Sequence, residues 1–162
     1  MESQMPLFKE LSTTVRDSAT PQESNRRFCK ELETALIDLG FSLSPDENLK
    51  PNSFCTRQTY KDMYGADRQS SFLINSAQYG LVRVEAHRQE KSGSVDQKFP
   101  FFFQSMLGTP EKYLVIVFDG DGYKKEAYTW LTSKAESVED KVFKVFRTLD
   151  LFLEWITSTE RD

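Results

Sequence analysis

In the run LVRVEAHRQ, residues 81–89, Val82, Val84 and Ala86 fall on one face of an extended chain, and Arg83, Glu85, His87 and Gln89 fall on the other. Four functional side chains in register, backed by an apolar face, suit a metal or phosphate site. A carboxylate such as Glu85 is a hard oxygen ligand for Mg²⁺, and a neighbouring base orients or deprotonates a water. The plain alternative is the wet face of an edge strand, and alternation by itself favours that alternative. His87 is the chain's single histidine, which excludes a multi-histidine zinc centre.

Other acids stand where they could complete such a site. Asp67 precedes an apolar segment, Glu31 and Glu33 lie in a helical stretch, and Asp119 and Asp121 belong to DGDG after an apolar run. The end of a buried strand is where α/β proteins often bind ligands. Each acid also has an ordinary reading, as a turn former or a solvated face. Arg83, Arg88, Lys91 and Lys98 flank the site and suit phosphates, although Glu90 and Asp96 interrupt them. The cluster FPFFF offers base-stacking surface, but at helical spacing core packing is the better reading.

The elements that position these residues follow from pattern. Thr20, Pro21 and Glu23 form a capping box with proline at the first helical position, and Phe28, Leu32, Ala35, Leu36 and Leu39 share a face up to Gly40. Residues 41–51 read as a loop. Strands are expected over 53–60, 71–75 and 80–89, with DMYGADRQ as a turn. A helix capped by Ser94 is expected over 95–107, and a doubly buried strand over 112–118. A short helix should follow over 126–131. A final helix should start near Ser137, with Val138, Val142, Val145, Phe146, Leu149, Phe152, Leu153 and Ile156 on one stripe. The predicted fold is α/β: a mixed central sheet, made of a three-strand meander plus a crossover strand, flanked by helices. Residues 1–19 read as a flexible N-terminal arm, and 20–162 as one domain.

The 162 residues fit a single core. The net charge of −4 excludes a general nucleic-acid coater, so contact with DNA would need a local basic groove or a basic partner. Cys29 and Cys55 lack metal-ligand spacing, and MESQMPLFKE has no basic-then-apolar signal, so free thiols in a reducing cytoplasm are expected. No apolar run reaches the ~18–20 residues that span a bilayer, and no membrane role is expected.

The stretch VRVEAHRQEKSGSVDQKFPFFFQSM, followed by KYLVIVFDGDGYKKEAYTWL, resembles the PD-(D/E)xK, restriction-endonuclease-like nucleases over roughly residues 22–156. The resemblance implies that Glu85 matches the metal-binding acid, Gln89 the trailing glutamine, and His87 the position of the lysine that places the attacking water. It implies that Ser71 stands where an aspartate belongs, with Asp67 or a glutamate of the first helix as substitute. Mg²⁺ or Mn²⁺ would be the cofactor of an active member. Two of three signature positions are altered, which favours a nuclease fold with an altered site, binding nucleic acid or serving a nuclease as partner or regulator. The alternatives are an active Mg²⁺-dependent DNA endonuclease and an unrelated α/β binding domain.

Overall fold

The computed structural model describes residues 20–91 and 95–159; the N-terminal arm and the Ser94 cap lie outside them. Helix α1 (Pro21–Asp38) starts as its residues dictate: the Thr20 side chain accepts a hydrogen bond from the Glu23 amide at 3.2 Å. Its apolar stripe buries Phe28, Leu32 and Leu36. Gly40, at φ +99°, lets the chain turn out of the helix.

Among the described residues six strands form one sheet in sequence order: β1 (Ser42–Leu43), β2 (Ser53–Lys61), β3 (Asp67–Ser76), β4 (Gly80–Arg88), β5 (Tyr113–Asp119) and β6 (Val142–Phe146). The β2–β3–β4 meander is antiparallel, and β1–β2, β4–β5 and β5–β6 are parallel pairs. A 3₁₀ turn (Val95–Lys98) and α2 (Phe99–Leu107) link β4 to β5. Helix α3 (Lys125–Glu136) links β5 to β6, and α4 (Leu149–Ile156) follows. The mixed α/β sheet flanked by helices is therefore present, with two more strands than expected.

β5 shows how the layers are built. Val115 and Val117 join Phe28, Leu32, Val82, Val84 and Phe152 in the core under α1 and α4. Leu114, Ile116 and Phe118 join Phe99, Phe102, Met106 and Leu131 under α2 and α3. A strand covered on both faces needs apolar residues throughout its buried length, as YLVIVF, residues 113–118, has.

Four expectations are corrected. The 41–51 loop contains β1, whose two residues carry too little pattern to read. The second strand begins at Asp67 rather than Ser71, because its first residues, DRQS, are polar on both faces. The helix over 126–131 runs on to Glu136. The single final helix is a strand and a helix: Val142–Phe146 adds to the open edge of β5, and the Thr148 side chain caps α4 by accepting from the Leu151 amide. Phe143 and Val145 face the α2–α3 core while Phe146 faces the α1–α4 core, so the segment obeys a two-residue period as well as a helical one.

Candidate functional site

β4 is the fourth of six strands, so its polar face is not the wet face of an edge strand. Val82, Val84 and Ala86 are fully buried on the α1 side. Glu85 and His87 share the opposite face: Glu85 Oε2 lies 3.5 Å from His87 Nε2, and the imidazole stacks on Phe102 of α2 at 4.4 Å and 13°.

The sheet forks beside this pair. The β3–β4 ladder ends at Phe72–Val84, and one step further the Ala86 amide donates instead to Ser71 Oγ at 3.0 Å. On the other side of β3 the pairing passes from Thr56–Phe72 to Gln58–Ser70, around an Arg57 held at φ +55°. A left-handed arginine in a strand is strained, and such residues concentrate at ligand sites. The fork sends successive serines to opposite sides. Ser70 Oγ accepts from Arg83 Nη1 at 2.8 Å, whereas Ser71 meets the Cys29 thiol of α1. Burial pushes that thiol up, partly offset by its bond to Ser71.

Glu85 is 2% exposed, and its charge is met from within the protein. Tyr60 Oη donates to Glu85 Oε1 at 3.3 Å, and Arg68 Nε lies 3.8 Å from the same oxygen. Burial, then the charge of Glu85, drives the Tyr60 hydroxyl far above the ordinary phenol range, so it stays a donor. Arg68 also donates to Tyr60 Oη at 3.2 Å, and its guanidinium lies over Phe102 (4.7 Å) and Phe101 (5.3 Å). A guanidinium thus occupies the neighbourhood of the carboxylate.

The remaining candidates are dispersed. Gln89 lies past the end of β4 and donates to the Gly122 carbonyl at 2.8 Å, tying the strand to the DGDG turn. Asp67, exposed on the hairpin, pairs with Lys61 at 2.5 Å. Arg83 is buried in a two-pronged bond to Glu111 at 2.9 and 2.8 Å, which leaves it no reach to a phosphate. Burial pushes the Glu111 carboxyl up, but Arg83 outweighs this and holds it below its ordinary range. Arg88 bonds Asp119 at 2.7 Å and also Glu31; burial pulls its pKa down, and these carboxylates raise it on balance. Glu33 pairs with Lys30, and Asp121 is fully exposed 3.9 Å from Arg147. Lys91 and Lys98 are exposed.

These donors do not fit a divalent ion. Mg²⁺ and Mn²⁺ sites draw on several oxygen ligands, usually more than one carboxylate. Here Glu85 has an arginine, a phenol and an imidazole as neighbours, and among the described residues no three His, Cys, Asp or Glu side chains are grouped to hold a metal. Ser71, one step past the last β3–β4 pair, supplies a hydroxyl already committed to the Ala86 amide.

What the fork does create is a groove of about 990 Å³ between α1, the β2–β3 strands and α2. Among the described residues, Arg26, Lys30, Arg57, Arg68, Arg88 and Lys98 line it against the single acid Glu33, and His87 forms part of its wall. This is a local basic surface on a chain of net charge −4. Sequence reasoning missed Arg26, Arg57, Tyr60 and Arg68. Alternation carried back from Phe72 and Ile74 would have put Arg68 and Ser70 on the α1 face, and only the irregularity opposite Arg57 turns them toward Arg83 and Glu85; Arg57 itself carries no signal, since its position depends on that irregularity.

A family model described as a PD-(D/E)XK nuclease superfamily domain matches residues 20–160, nearly all of the described fold. No curated protein and no solved structure matches the chain. Among the described residues no helix is long and apolar enough to cross a membrane.

Proposed function

The chain belongs to the PD-(D/E)XK nuclease superfamily, and from that premise we propose that it is a member with an altered active site that binds nucleic acid, alone or as the binding subunit of a nuclease. The observation that carries this reading is the exchange at Glu85. A carboxylate of the kind that holds metal in this superfamily is here neutralised by Arg68 and hydrogen-bonded by Tyr60, while the groove beside it is lined with cations. An arginine cannot polarise and deprotonate a water as a metal does, but it stabilises the buried charge. Phosphates of a bound strand would meet Arg26, Lys30, Arg57 and Lys98.

The second reading, metal-dependent cleavage, is favoured by one observation: Glu85 and His87 share a buried face at 3.5 Å. Both readings answer to one experiment, fluorescence anisotropy of labelled oligonucleotides in EDTA and in Mg²⁺, with the products run on a denaturing gel. Binding should need no Mg²⁺, weakening in it only as competition for the phosphates dictates, and the oligonucleotide should stay intact. With about four groove cations engaged on a single strand, log K should fall against log salt with a slope near −3. Arg57→Glu should weaken binding at least tenfold. Mg²⁺-dependent cleavage that disappears in Glu85→Gln would instead establish an active nuclease.

A further inference from the structure

The wall of the groove on the α2 side is built of stacked rings. At the tip of the β2–β3 hairpin, Asp62 Oδ1 accepts from the amides of Tyr64 (2.9 Å) and Ala66 (3.0 Å), and the Met63 amide donates to Ser105 Oγ of α2 at 3.1 Å. The tip is therefore pinned to α2. Pinned there, Tyr64 remains 79% exposed while its ring stacks on Phe101 at 5.9 Å and 20°. Phe101 adjoins Phe102 at 6.0 Å, Arg68 covers both, and Phe102 stacks on His87. An aromatic and cationic ladder thus runs from a solvent-exposed tyrosine down to the carboxylate. Across the groove stand Arg26 and Lys30 of α1 and Arg57 of β2.

An aromatic bank facing a cationic bank is what a single strand requires. Its phosphates track the cations, and its unpaired bases stack on rings whatever their identity. A duplex keeps its base faces inside and can use only the cations. A tyrosine present merely to staple the hairpin would bury its ring against Phe101; this one leaves most of its surface to solvent. We propose that the ligand of the groove is single-stranded nucleic acid, with a base stacked on Tyr64 at the outer end of the ladder. This rests on the nucleic-acid reading above and adds the class of strand and the residue that recognises it.

The test compares, by anisotropy in EDTA, an oligothymidylate of about twelve residues, within the ~4–16 nucleotides such grooves cover. Beside it stand an abasic chain of equal length, a duplex of equal length, and an oligouridylate that separates RNA from DNA. The oligothymidylate should bind tighter than the duplex. Tyr64→Ala should lose roughly five- to hundredfold on the oligothymidylate and little on the abasic chain, the range that stacking losses span. Tyr64→Phe should retain the binding, and thermal melts of both variants report whether the hairpin stays folded. A duplex bound as tightly as the single strand overturns the inference and leaves the groove reading standing. So does a Tyr64→Ala loss that is equal on the abasic chain. Failure of every oligonucleotide to bind, at low salt, overturns both.

Discussion

Arg68 as the internal counter-charge of Glu85 has a measurable consequence for stability. The guanidinium Nε is 3.8 Å from a carboxylate that is 2% exposed, and Arg68's own side chain is 27% exposed. At an effective dielectric of ~20 a pair at this separation interacts by about 4 kcal/mol. The exposure of Arg68 and the lack of a direct hydrogen bond to Glu85 reduce that, while its position over Phe101 and Phe102 contributes about 1 kcal/mol independent of Glu85. Arg68→Met should therefore destabilise by about 3 kcal/mol, because it strands a buried carboxylate. Glu85→Gln alone should cost about 1–2 kcal/mol, since the amide keeps an acceptor for Tyr60. The double variant should fall about 2 kcal/mol short of the sum. Urea denaturation of the four proteins at neutral pH closes the cycle. A coupling below ~0.5 kcal/mol would mean that Arg68 merely lies near Glu85 and that the carboxylate is stabilised otherwise.

Three further outcomes are expected. Glu111 has a folded pKa below its ordinary value near 4.5, so the stability it shares with Arg83 is fully present above that value and lost as pH falls through the folded one. Wild type should lose more stability between neutral pH and about pH 3 than Glu111→Gln does, and parallel pH–stability curves would remove the assignment. Gly122→Ala places a Cβ 2.3 Å from the Lys91 carbonyl oxygen and 2.7 Å from that of Gln89, both backbone atoms; it should lower stability by about 1–3 kcal/mol in a thermal melt, and an unchanged midpoint would show that the turn yields freely. Ser71→Asp with His87→Lys, made in an Arg68→Met background that frees Glu85, should bind Mn²⁺ no better than the parent by calorimetry, because Ser71 turns toward Cys29 of α1 rather than toward Glu85; a saturable heat in the variant alone would mean that positions 71 and 85 do reach one ion.

The β4 face was legible because one strand carried both halves of the signal: three small apolar residues for the core and three polar ones for the opposite face. Register then required Glu85 and His87 to share a side. Arg68 was hidden for the opposite reason. Asp67 to Ser70 line a hairpin and a groove, so neither face is apolar and the strand leaves no periodic trace. The Ser70–Ser71 step was equally invisible, since which serine turns toward Arg83 depends on the left-handed backbone at Arg57. Val142 to Phe146 misled because five residues can satisfy two periods, and the open edge of β5, a feature of tertiary structure, decides between them. The roles of Arg83 and Arg88 shifted too: adjacency to Glu85 in sequence suggested phosphate contacts, whereas Glu111, Asp119 and Glu31, distant in sequence, already engage them.

The central claim is that Glu85 serves an internal cation rather than a metal. Isothermal titration of the wild-type protein with Mn²⁺, at neutral pH and in parallel with Glu85→Gln, tests it directly. The expected result is no saturable heat in either protein up to millimolar ion. A saturable site in wild type that vanishes in Glu85→Gln would contradict the account and place a metal where Arg68 is argued to suffice.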